Sequence, residues 1–292
     1  MAAAVGLLCG AGAAMAQAPV AAAPAAQPFR VGDLELVSLR DGGFIMPNNG
    51  SIFGLNASPK TVAEVLRAAG APTDTVRLDV DCLLLKTAGR RVLFDTGLGP
   101  TMHGALPGSL ALAGVSPAAI TDVLITHAHG DHVGGLLDAE GRSAFPNAKI
   151  RLSTREWAFL QSQADTKALA AVIAPQVVPF EPGQPILPGV TPIAHYGHTP
   201  GHVAYLITSR GETLEDIGDT AHSAIVSLAR PDWTIQFDTD KTAGAAQRRR
   251  ELQRLAAAHT RIYAPHFPFP GVGVIESVAG GFRFKPAALD SK

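Results

Sequence analysis

Apolar residues recur along this chain with two periods, and the change from one to the other separates strands from helices. Leu34-Glu35-Leu36-Val37-Ser38-Leu39 alternates like a strand, and Asp41-Gly42-Gly43 behind it reads as a turn. Residues 61–69 place Val62, Val65, Leu66 and Ala69 at helical spacing, with Ser58 or Thr61 available as a cap and Gly70 as a stop. Residues 80–86 and 91–94 read as two strands joined at Ala88-Gly89, and residues 122–126 as a short β-branched strand. Helical patterns follow at 154–162 and 243–258, and strands at 150–152, 203–208 and 262–264. There is no internal repeat and no second linker. The mixture predicts one α/β domain over residues 31–292.

The beginning of the chain is different. Residues 1–16 are small and apolar and end Ala14-Met15-Ala16, the pattern of a secretory signal and its cleavage site. No basic residue precedes the apolar run; the first charge is Arg30. Residues 17–30 are rich in Ala and Pro and read as a disordered linker. This predicts a periplasmic or secreted protein. After cleavage only Cys82 remains, within Cys82-Leu83-Leu84-Leu85, so it is expected as a buried core thiol with no intramolecular disulfide.

Composition narrows the function classes. At 47% hydrophobic and 17% charged residues, the chain can build a globular core. Lys and Arg total 24 against 25 Asp and Glu, so nothing favours nucleic acid as a partner. No apolar run reaches the roughly 18 residues of a membrane span.

The chemistry is concentrated in Thr126-His127-Ala128-His129-Gly130-Asp131-His132-Val133-Gly134-Gly135. Imidazole nitrogens and carboxylate oxygens are ligands for zinc and similar ions. His127 and His129 are two apart, so in extended backbone they face one side. Asp131 and His132 are adjacent and diverge, which suits a second ion. Downstream, Gly197-His198-Thr199-Pro200-Gly201-His202 fixes a histidine on a turn, Ile217-Gly218-Asp219 places a carboxylate, and Ala264-Pro265-His266 ends a strand with a histidine. Each is weak alone; together with the first cluster they make two metal sites.

These motifs resemble the metallo-β-lactamase-fold hydrolases, with their HxHxDH motif and later His, Asp and His. The likeness runs from about Val31 to Pro286. Phe145-Pro146-Asn147-Ala148, Gly218-Asp219-Thr220-Ala221-His222, Phe237-Asp238-Thr239-Asp240 and His266-Phe267-Pro268-Phe269-Pro270-Gly271 resemble the branch that includes methyl parathion hydrolase and related lactonases and arylesterases. The resemblance implies a four-layer αβ/βα sandwich with the site at the strand ends. It implies one metal on His127, His129 and His198, another on Asp131, His132 and His266, and Asp219 bridging both. Two divalent ions are implied, zinc above others, and a homodimer is implied as well.

Two such ions can share a water and acidify it, so the expected nucleophile is a metal-bridging hydroxide. Asp131 is expected to orient that hydroxide or accept its proton. Asp95, in Phe94-Asp95-Thr96-Gly97, either orients a ligating imidazole or shapes a strand-end turn. His202 is expected to support a ligand rather than act as one. His222, three residues after Asp219, can donate to a developing oxyanion or protonate a leaving alkoxide; packing is its bland alternative. Phe237 is expected in the pocket wall, with Phe267, Phe53 and Phe269 as further candidates or as core residues. The leading expectation is a hydrolase for a small neutral lactone or carboxylic ester. Organophosphate triester hydrolysis is the alternative, ahead of β-lactamase and thioester hydrolase activity. A binding scaffold on a degenerate site would have lost ligands, and none is lost.

Overall fold

The structure, a computed structural model, describes residues 19–289. The apolar leader over residues 1–16 lies outside the described residues. In chain order the strands are β1 (Ala26–Val31), β2 (Leu34–Pro47), β3 (Thr75–Lys86), β4 (Arg91–Phe94), β5 (Asp122–Leu124), β6 (Lys149–Arg151), β7 (Val190–Ala194), β8 (Val203–Ser209), β9 (Glu212–Asp216), β10 (Arg261–Tyr263), β11 (Val272–Val278) and β12 (Gly281–Pro286). The α-helices are α1 (Pro59–Ala68), α2 (Leu106–Leu112), α3 (Gly130–Val133), α4 (Thr154–Ser162), α5 (Lys167–Ile173), α6 (Val226–Ala229) and α7 (Lys241–Ala258).

Among the described residues, two six-stranded sheets form, ordered β1-β2-β3-β4-β5-β6 and β12-β11-β10-β9-β8-β7. The first is antiparallel up to β4, then parallel through β5 and β6. The second is antiparallel except for the parallel β9–β10 pair. Leu36, Leu83, Leu85 and Phe94 of the first sheet pack against Val203, Tyr205, Ile207 and Tyr263 of the second. Leu106, Leu110, Leu160 and Ile173 from α2, α4 and α5 cover the outer face of the first sheet. Leu252 and Leu255 of α7 cover the second, over Ile262, Phe267 and Ile275. Helix, sheet, sheet and helix are therefore the four layers that the resemblance implies. Both faces of the second half of β3 are covered, so Cys82-Leu83-Leu84-Leu85 is continuously apolar there, with Cys82 buried in it.

Two expectations change. Residues 17–30 are not a disordered linker throughout: β1 begins at Ala26 and pairs with β2 in register Ala26↔Leu39 to Val31↔Leu34. Before it, Ala25 N donates to Ser109 Oγ at 3.1 Å, and Val20 N to Gly43 O at 2.7 Å. An Ala/Pro composition hides a strand whose apolar face is only Phe29 and Val31. Asp41-Gly42-Gly43 is not a turn but a bulge inside β2, where pairing to β3 slips between Arg40 and Gly42. The Asp41 carboxylate accepts from Leu98 N and Leu106 N, both at 2.6 Å, and so ties this bulge to the loop after β4.

Candidate metal centre

Strand ends from both sheets meet at one place. His127 and His129 follow β5, Asp131 and His132 lie in α3, and His198 sits in the turn between β7 and β8. Asp219 lies in a short 3-10 turn after β9, and His266 follows β10. Nε2 of His127 is 3.1 Å from Nδ1 of His129 and 3.1 Å from Nε2 of His198. Nε2 of His132 and of His266 are 3.3 Å apart, with Asp131 Oδ2 3.6 Å from His266 Nε2. Asp219 stands between the two groups. Its Oδ2 is 3.6 Å from His127, 3.3 Å from His198 and 3.2 Å from His266, while its Oδ1 is 3.1 Å from both His132 and His266. All seven residues expected as ligands are thus brought together in two clusters with one shared carboxylate.

The donors fit divalent metal ions. Several ring nitrogens converge at about hydrogen-bond distance, yet lone pairs aimed at one point repel unless a cation or proton lies between them. Asp219 Oδ1 is buried and has no hydrogen-bond partner. Burial and neighbouring imidazoles push His127 well below the ordinary histidine range, and burial pushes His129 to about 3. Burial opposes ionisation of Asp219, but the rings of His266, His132, His222 and His127 hold its carboxyl well below the usual range. Against burial, Asp219 and Asp95 raise His132, and Asp219 and Asp238 raise His198 to about 9. Metal uptake at those two rings displaces a proton. Asp131, 21% exposed in its side chain, and the half-buried His129 mark the side open to solvent.

Four rings are oriented by contacts at their other nitrogen. Nδ1 of His127 meets Thr126 Oγ1 at 3.0 Å, and Nδ1 of His132 meets Asp95 Oδ2 at 2.7 Å. Nδ1 of His198 meets Asp238 Oδ1 at 3.0 Å, and Nδ1 of His266 meets the Asp79 carbonyl at 2.7 Å. Such contacts fix the tautomer and leave Nε2 facing the centre. Asp95 serves both of its expected purposes. It has a left-handed φ of 56° at the end of β4, and it binds Thr126 N, Thr126 Oγ1 and His132. His202 supports a neighbour: its Nδ1 donates to His195 O and its Nε2 accepts from Asp219 N, both at 3.0 Å.

Three supports carried little or no signal in the sequence. Glu156, buried in α4, accepts from Ala128 N at 2.7 Å, Thr199 Oγ1 at 2.8 Å and Gly201 N at 2.9 Å. One carboxylate therefore clamps both histidine loops. Asp238 shows in the sequence only as part of a family-like segment, and buried Arg248, 3.4 Å from it, carries no sequence signal.

His222 lies within the centre. Its Nε2 is 3.0 Å from Asp219 Oδ2, out of hydrogen-bond geometry, and both ring nitrogens lack a hydrogen-bond partner. Its ring stacks on His266 at 5.6 Å and lies 5.6 Å from the ring of Phe237. Phe237 in turn meets Phe53 edge-on at 6.4 Å, so these two form an apolar wall beside the centre. Phe267 does not belong to that wall. It is fully buried under α7 with its ring edge-on to Phe284 at 5.0 Å, because the residue after His266 points back into the sheet–helix core.

Comparison with known proteins agrees with this geometry. A family model described as the metallo-beta-lactamase superfamily matches residues 75–266. Among solved structures, the chain is similar to AidC, a dizinc quorum-quenching lactonase in complex with a product. The TM-score is 0.87 at 28% identity, covering 92% of this chain and 99% of that one. It is also similar to AbOPH, a hydrolase in the beta lactamase superfamily, with a TM-score of 0.84 at 26% identity over 92% and 99% of the two chains. Among curated sequences, the uncharacterized protein YobT of Bacillus subtilis (strain 168) is 27% identical over 187 residues, 61% of this chain and 78% of that protein.

Proposed function

This chain belongs to the metallo-beta-lactamase superfamily and is a metal-dependent hydrolase, and we propose that it is a dizinc enzyme that opens a lactone or cleaves a small carboxylic ester. The observation that carries the reading is the Asp219 carboxylate, which stands within 3.1–3.6 Å of ring nitrogens of both clusters, Oδ2 near His127, His198 and His266 and Oδ1 near His132 and His266. His127, His129 and His198 would hold one ion, Asp131, His132 and His266 the other, and Asp219 both. When bound, two such ions supply Lewis-acid polarisation of the substrate oxygen and acidify a shared water.

The chain's own residues supply the remainder. Asp131, on the open side, is placed to orient the incoming water and accept its proton. Burial pushes the His222 imidazole down to about 4, so at neutral pH it is neutral and keeps one N–H. That N–H, without a hydrogen-bond partner in the centre, is placed to donate to the oxygen that gains charge as the carbonyl is attacked. Phe237, partly buried and backed by the buried ring of Phe53, offers a neutral acyl or alkyl group an apolar surface. The similarity to a dizinc lactonase over nearly the whole chain supports the same substrate class.

The test is a panel on zinc-loaded protein: acyl-homoserine and simple lactones, aryl esters, methyl parathion and a β-lactam. Lactone or ester kcat/KM is expected to exceed the phosphotriester and β-lactam values. A dominant phosphotriester rate would replace this reading with the organophosphate alternative.

A further inference from the structure

A second group of ligand-type side chains lies behind the centre, under α7. His195 directly follows β7, Glu215 is in β9, and Glu251 is in α7. Leu214 faces the inter-sheet core, so the alternation of β9 turns Glu215 toward α7. All three are buried, His195 and Glu215 almost completely. His195 Nε2 stands 3.8 Å from Glu215 Oε1 and 3.6 Å from Glu251 Oε2, and it has no hydrogen-bond partner.

The hydrogen bonds decide the state of that nitrogen. Thr220 Oγ1 donates to Ile217 O at 2.7 Å, so toward His195 Nδ1, at 2.8 Å, the hydroxyl is the acceptor. Nδ1 therefore carries a proton, and in the neutral ring Nε2 is a bare lone pair. Burial together with the guanidiniums of Arg254 and Arg250 pushes this imidazole down to about 3, so it is neutral. A lone pair then faces two carboxylates. Arg254 binds both of them, through Nη2 to Glu215 at 2.6 Å and Nε to Glu251 at 2.7 Å. The exposed Arg250 adds a more distant contact, 3.9 Å from Glu251, so what stays unmet at this place is the lone pair of His195 Nε2.

We propose that His195, Glu215 and Glu251 form a third metal site for a divalent cation of the zinc class. An imidazolium is a poorer account, because a charge-assisted N–H···O contact closes to roughly 2.7–2.9 Å, well short of the separations here. One nitrogen and two carboxylate oxygens are a zinc donor set with an open fourth position. The 3.6–3.8 Å spacing continues the range of the first centre, where ligand atoms face each other at 3.1–3.6 Å. Such an ion ties α7 to β7 and β9. Through Thr220 it adjoins Asp219, and through α7 it steadies Arg248 and hence Asp238.

The test uses the full chain equilibrated with zinc alone. Anomalous scattering at the zinc edge is expected to show a peak between His195, Glu215 and Glu251, apart from those at the first centre. Metal analysis is expected to give about three zinc ions per chain, falling to about two in His195→Gln. Glu251→Gln serves the same purpose if the first variant does not fold. The proposal is overturned by density with no anomalous signal at that point in the unaltered protein, or by an unchanged zinc content in a folded variant.

Discussion

Single residues set the chemistry, and each ring at the centre depends on the group behind it. Four of the ligands, His127, His129, Asp131 and His132, come from one short segment, whereas His198, Asp219 and His266 come from three others. The groups behind them need only reach a ring nitrogen, and residues far apart in the chain can do that. Asp238 touches His198 across 40 positions of sequence and has no local signature. Asp238→Asn keeps the shape and removes the charge that steadies the His198 ring. Zinc affinity is expected to fall about 10–100-fold, measured by competition with a chelating dye; unchanged affinity would show that the contact does not tune the ligand. His222 poses a different question, since its position was legible and its role rests on geometry. His222→Phe is expected to lower lactone turnover about 10²–10³-fold while phosphotriester turnover falls less. Equal losses on both substrates would remove the oxyanion role.

Elements bring these residues together, and here a polar residue in an otherwise ordinary helix carries weight. Residues 154–162 were readable as a helix, but nothing marked Glu156 in its first turn as more than a surface carboxylate. Its burial follows from the fold, because the two histidine loops close over it with three donors. Gly201 belongs to the same contact, since a Cβ there would stand 2.2 Å from Glu156 N. Glu156→Gln replaces one acceptor oxygen with an NH₂ that must face a backbone or hydroxyl donor. The expected cost is about 1–3 kcal/mol, read as a lower urea midpoint. An unchanged midpoint would mean that the clamp is not needed to hold the loops. The bulge in β2 makes the same point from the backbone side. Asp41-Gly42-Gly43 has the composition of a turn, and only pairing with β3 and contact with the loop after β4 make it a bulge.

At the scale of the whole molecule, the α/β class was legible from mixed periodicities, whereas the layer order came from resemblance. Helix α7 shows why: its buried face carries Gln247, Arg248 and Glu251 beside Leu252 and Leu255, so no simple apolar stripe announces which sheet it covers. Strand β1 was hidden in the same way by its Ala/Pro composition. The finished architecture packs both sheets face to face with strand ends of each meeting at the centre, which is assembled from residues that neither sheet holds alone. The account therefore stands on metal-dependent ring opening by this centre. The most direct measurement follows lactone hydrolysis by acid release on the purified chain, before chelation, after complete metal removal, and after zinc is returned. Turnover is expected to disappear with the metal and to come back with zinc. Lactone turnover that survives complete metal removal would contradict it.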